Sequence, residues 1–147
     1  MAPHVVQIPR SAFAFCRWSL TGLLWLALAT RQAWVLAAVV GLLALSAILR
    51  VDRSPMVVLH RTTLGRLFPP AAFEFMDVTA MRFAHGTGAV LGTCVLVAIL
   101  RNPRSGWVAL APFCVLKTIS ALGFCPASKL FVCMRKGGCC ALTGHRC

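Results

Sequence analysis

Four apolar blocks separated by short basic segments limit this chain more than any other feature of its sequence. They cover residues 11–30 (SAFAFCRWSLTGLLWLALAT), 32–49 (QAWVLAAVVGLLALSAIL), 81–100 (MRFAHGTGAVLGTCVLVAIL) and 106–124 (GWVALAPFCVLKTISALGF). A helix rises 1.5 Å per residue, so blocks of about 18–20 residues span close to 30 Å, the thickness of a bilayer's hydrocarbon core. Charged residues make up only 12 % of the chain and hydrophobic ones 59 %, too little polar surface to cover a water-facing globule. The sequence therefore predicts an all-α membrane protein with four transmembrane helices in one domain.

The connections predict how the helices pair. Arg31 alone joins the first two blocks and residues 101–105 (RNPRS) join the last two, so each pair forms an antiparallel hairpin. Between the hairpins lies a polar stretch, residues 50–80. There Ser54-Pro55 reads as an N-cap followed by proline at the first helical position. Val57, Leu64 and Phe68 recur near helical spacing opposite Arg61 and Arg66, which predicts an interfacial amphipathic helix over 55–68, ended by Pro69-Pro70. Asp77 is placed to cap the third span.

The net charge of +12 is carried mainly by arginines at block ends, where basic residues set topology and meet anionic head groups. No stretch interleaves basic and aromatic residues as a nucleic-acid surface does, so nucleic acid is not an expected partner. The hairpin turns hold Arg31, Arg101 and Arg104, whereas the N-terminus, middle loop and tail hold most of the remaining Lys and Arg. The positive-inside rule then puts both termini in the cytoplasm of a multi-pass bacterial inner-membrane protein. Ala27-Leu28-Ala29 faintly resembles a signal-peptidase site, but the apolar run is long for a signal and the second block follows at once.

Three polar residues inside the blocks are candidate site residues. Lys117 lies near the middle of the fourth block, where an ammonium is costly and must face the bundle interior. It reads either as a proton or anion site or as a structural lysine. His85, one turn into the third block, reads as a ligand or as a hydrogen-bonded structural residue, and Arg82 stands one turn before it. Gly88-xxx-Gly92 gives the third block a small-residue face for close helix approach, and Pro112 should kink the fourth. The only acids, Asp52, Glu74 and Asp77, lie outside all four blocks and are expected to pair with interfacial arginines. No acid–base pair or nucleophile constellation can be assembled, so an enzyme is not indicated.

Cysteine supplies the remaining chemistry. Cys16, Cys94 and Cys114 fall in apolar blocks and read as small core residues. Cys125, Cys133, Cys139, Cys140 and Cys147 crowd a cysteine-rich tail, residues 125–147. A reducing cytoplasm disfavours a disulfide framework, leaving thiol exchange, sulfur carriage, soft-metal binding, palmitoylation or no role. Cys125, Cys133, Cys139 and Cys140 are the candidate thiols, and with Cys147 and His145 the candidate ligands of a soft metal. Their spacing matches neither a zinc ribbon nor a CxxC redox motif, so no cofactor is assigned. Lys129, Arg135 and Lys136 would favour thiolate.

Arg82-Phe83-Ala84 at the start of the third block, VLKTISALGFCPASKLF and the GGCC that follows resemble a bacterial family of small four-helix membrane proteins known only as a domain of unknown function. The resemblance covers most of residues 10–140. It implies four helices and a cysteine just after the fourth, matched by Cys125, brings no established activity, and points toward thioredoxin-like or sulfurtransferase proteins as partners. Many members carry a second cysteine in a Cys-x-x-Cys-like pattern, where this chain has Ser128. Two functional expectations follow: a thiol- or sulfur-handling accessory protein, or a structural subunit or assembly factor of a larger membrane complex. A small ion or metabolite carrier, resting on Lys117 and Pro112 alone, ranks below both.

Overall fold

The computed structural model describes residues 5–49, 54–63, 65 and 73–136. In chain order its elements are β1 (Val5–Pro9), α1 (Arg10–Thr30), α2 (Ala33–Ile48), α3 (Pro55–Thr62), β2 (Phe73–Asp77), α4 (Val78–Arg101), α5 (Pro103–Ala121) and α6 (Pro126–Lys136). Each of the four long helices packs against two others: α1 and α4 each contact both α2 and α5. The two hairpins, α1–α2 and α4–α5, thus close into a four-sided bundle. Its core is built from Leu20 and Leu24 of α1, Leu36, Val39 and Leu43 of α2, Ala89 and Ile99 of α4, and Leu110 and Phe113 of α5.

Apolar side chains also cover the outside. Trp34, Ile48, Leu100 and Val108 are each at least 70 % exposed, and Trp18, Val90, Val115 and Ile119 are exposed as well. α1 and α4 are long and apolar enough to cross a membrane, and less than half of each apolar stretch is buried in the protein. α2 is a shorter apolar helix. In α5 the apolar run is interrupted by Pro112 and Lys117.

The all-α expectation needs one correction. β1 and β2 form an antiparallel pair in which Val5 faces Asp77 and Pro9 faces Phe73. The β-branched residues of VVQIP and the aromatics of FEFMD suit a pleated pair, but each run is too short to announce a strand without its distant partner. The ladder sets the start of α1 beside the start of α4. A small cluster of Ala12, Phe13 and Val57, with Val6 and Met81 against it, packs beneath.

The helix ends also differ from the expected ones. α4 begins at Val78, not at residue 81, because Asp77 caps it: the Thr79 amide donates to Asp77 Oδ1 at 2.8 Å. α5 starts at Pro103, proline being preorganised for a first helical position. It stops at Ala121, short of residue 124, because Gly123 adopts φ 105°. The Phe124 amide then reaches back to the Ile119 carbonyl and the Gly123 amide to that of Ser120, both at 3.2 Å, a Schellman closure. α3 begins at Pro55 as expected but ends at Thr62, not at residue 68. Leu64, Arg66, Phe68 and Pro69-Pro70 lie outside the described residues.

Candidate functional site

The Schellman turn decides where Cys125 sits. It ends α5 and redirects the chain, and after Phe124 the next residue, Cys125, opens α6. The Cys125 carbonyl accepts from the Lys129 amide at 3.2 Å, the first bond of the new helix, so Cys125 is its N-cap and Pro126 its first helical residue. An N-cap side chain meets the free amides of the second and third helical positions. Here the sulfur is hydrogen-bonded by the backbone N–H groups of Ala127 and Ser128, the Ser128 hydroxyl and Ser120. The Ser120 hydroxyl also donates to the Leu116 carbonyl at 3.0 Å, so its single proton serves one acceptor at a time.

Burial works to raise the Cys125 thiol, but the hydrogen bonds from Ser128, Ser120 and the Ala127 amide outweigh it. The thiol stays below its ordinary value of 9.0. Donors at a helix N-terminus hold negative charge on sulfur in this way.

α6 was missed by sequence reasoning, which treated residues 125–147 as one cysteine-rich tail. Its signal was present in Pro126 after a capping residue and in Leu130, Phe131 and Met134 at helical spacing. Ser128 reads in sequence as the lost half of a dithiol, whereas in space it is a donor to the sulfur. α6 is held by α4, the Phe83 and Phe131 rings lying 5.3 Å apart. Arg82 turns the other way and donates from Nε to the Ala47 carbonyl at 2.8 Å, closing the C-terminal end of α2. The Arg82-Phe83-Ala84 motif thus ties α4 to α2 on one side and to the cysteine helix on the other.

Behind Cys125 the bundle opens into a cavity of about 470 Å³ between α1, α4, α5 and the start of α6. Arg17, His85, Lys117, Lys129, Cys16 and Cys125 line it, and no carboxylate does among the described residues. Lys117 points into this cavity, its Nζ 5.9 Å from the Phe113 ring centre. Gly88 makes room for it: a Cβ there would stand 2.6 Å from Nζ. Cys16 and Cys125 are both within electrostatic reach of the ammonium. Arg17 lies over the Phe13 ring at 4.5 Å. Arg17 Nε and His85 Nδ1 are buried without a hydrogen-bond partner among the described residues. Gly92, the other half of the small-residue face, meets Val40 of α2, so that face serves packing within the bundle.

Other candidates are not drawn together. Cys133 lies eight residues along α6 from Cys125, about 12 Å at helical rise, too far for a disulfide between them. Among the described residues no three His, Cys, Asp or Glu side chains converge on a metal position. Cys139, Cys140, His145 and Cys147 lie outside the described residues.

The structure is thus a four-sided helical bundle with a cysteine capping a short helix at one end and a cavity lined by cationic side chains behind it. The chain belongs to the DUF4395 family, a domain of unknown function, which matches residues 8–136. The match takes in every long helix and α6, so Cys125 and Cys133 fall inside the family domain and Cys139, Cys140 and Cys147 beyond it. No curated protein and no solved structure shows significant similarity to the chain.

Proposed function

We propose that this chain is a four-span inner-membrane protein of the bacterial cell that presents Cys125 as a reactive cytoplasmic thiol. It acts as a thiol- or sulfur-handling accessory to a soluble thioredoxin-like or sulfurtransferase partner. The membrane part is supported by apolar side chains on the outside of the bundle and by the basic bias of the N-terminus, middle loop and tail. The strand pair, the Arg82–Ala47 contact and the start of α6 gather at one end of the bundle, and Arg31 and Asn102 turn at the other. That arrangement suits two hairpins inserted from the same side.

The observation that carries the thiol reading is the N-cap position of Cys125, with its sulfur held by helix amides and Ser128. A thiolate so placed is the form that attacks disulfides and accepts sulfur. The test is labelling with a membrane-impermeant maleimide in inside-out and right-side-out vesicles, before and after reductant, against Cys125→Ser. Fast labelling of Cys125 from the cytoplasmic face, blocked by oxidant and restored by reductant, is expected. A Cys125 that labels no faster than an ordinary thiol, or only from the periplasmic face, refutes it.

The alternative, a subunit or assembly factor of a larger complex, is favoured by Leu130 and Met134, which α6 leaves 52 % and 68 % exposed. Native electrophoresis in mild detergent separates the two. A Leu130→Ser, Met134→Ser variant that loses a co-migrating partner while keeping the fast thiol supports the alternative.

A further inference from the structure

Apart from any reactivity of Cys125, the cavity behind it has a chemistry of its own. We infer that the cavity between α1, α4 and α5 binds a tetrahedral oxyanion, held by Arg17 and Lys117 with His85 beside them.

The charge balance is the first reason. Arg17, Lys117 and Lys129 line one space with no carboxylate among the described residues. None of α1, α2, α4, α5 or α6 contains an aspartate or glutamate that could turn toward it. Lys129 is exposed at the mouth, but Arg17 and Lys117 are partly buried, and partly buried cations that share one space repel one another and lose hydration unless a counter-charge joins them.

The second reason concerns hydrogen bonds. Arg17 Nε and His85 Nδ1, both on cavity-lining residues, are buried with no partner among the described residues. A buried polar atom left unsatisfied is costly, and its usual explanation is a ligand, water or ion. Arg17 also brings a planar guanidinium suited to bidentate contact with an oxyanion.

The third is space. The Lys117 ammonium occupies a hollow that exists because residue 88 has no side chain. The cavity's 470 Å³ is ample for a sulfate- or phosphate-sized group. The oxyanion can be a free ion or the phosphate of an anionic lipid head group, because the recognition chemistry is the same.

The test uses the full chain in nanodiscs of phosphatidylcholine, a lipid without net charge. Sulfate, thiosulfate and phosphate are titrated at constant ionic strength against chloride, and binding is followed by calorimetry. A parallel arm uses native mass spectrometry to count phosphatidylglycerol retained from mixed nanodiscs. Saturable binding of any of the three ions, or selective retention of phosphatidylglycerol, supports the inference, and the arm that responds identifies the source.

Losing one charge-assisted contact should weaken binding about 10- to 100-fold in Lys117→Met and Arg17→Gln. Gly88→Ala tests the same point with every charge in place, since the added methyl displaces the ammonium; several-fold weakening is expected. Thermal unfolding of ion-free Lys117→Met should match or exceed wild type, which separates lost binding from lost folding. The inference is overturned if wild type binds neither the ions nor phosphatidylglycerol above the chloride and phosphatidylcholine controls. It also falls if Lys117→Met and Arg17→Gln bind as wild type does.

Discussion

Replacing Ser128 with alanine removes one hydroxyl donor from the Cys125 sulfur and leaves the helix amides in place. A hydrogen bond to a charged acceptor contributes about 1.5–3 kcal/mol. Cys125 is only half-buried, so the lower end applies, about one unit of pKa. At pH values below both midpoints the thiolate fraction should then fall about tenfold, while each thiolate becomes about threefold more nucleophilic because its basicity rises. The net expectation is alkylation by iodoacetamide about three- to fourfold slower in Ser128→Ala, with the midpoint of the pH–rate profile moved up about one unit. Peptide-level mass spectrometry of the Cys125 fragment reads both quantities. Superimposable profiles for the two proteins, or a wild-type midpoint at or above the ordinary thiol value of 9.0, would refute the reasoning. The linked stability has a fixed sign. The folded value lies below the unfolded one, so the sulfur's contribution is full above pH 9 and is lost as pH falls through the folded value. The advantage of wild type over Cys125→Ala should therefore shrink on acidification through that window.

Ser128→Cys places a second sulfur where a hydroxyl already meets Cys125, and oxidised glutathione should close a disulfide detectable by intact mass; a persistently open dithiol would deny the N-cap geometry. Phe131→Ala removes the ring that packs at a tilt against Phe83, and hydrogen exchange in α6 should accelerate while α1 and α2 keep their protection. Gly92→Val drives a branched side chain toward Val40 Cγ2, which even a bare Cβ would approach to 2.7 Å. Overpacking of this kind costs about 1–3 kcal/mol, and thermal denaturation in detergent should show the loss. Trp25→Phe deletes the hydrogen bond from its indole to Thr118 at 3.0 Å, which joins α1 to α5. A destabilisation of about 0.5–1.5 kcal/mol is expected by the same assay.

The four long helices were legible in sequence because their signal is sheer apolar length, which needs no partner to be read. Their ends were less so. The start of α4 depended on recognising that Asp77 caps the turn from Val78, and the end of α5 on the left-handed conformation of Gly123. The β1–β2 pair was out of reach, since two five-residue strands gain meaning only from each other. In the site, Cys125 and Lys117 stood out as chemically unusual residues. That the turn at Gly123 would bring them to one cavity, with Ser128 on the sulfur and Arg17 from another helix, depends on tertiary packing. The crowding of cysteines drew attention to the C-terminal end, while the family domain closes at residue 136.

β1 also has a consequence in time. Its partner β2 is synthesised more than sixty residues later, and at ~5–20 residues per second the ribosome takes several seconds to cover that distance. Throughout that interval the first hairpin waits with an unpaired strand at its leading end. The ladder can close once residues 73–77 emerge, ahead of the second hairpin's helices, making it the first stitch open to the two halves of the chain.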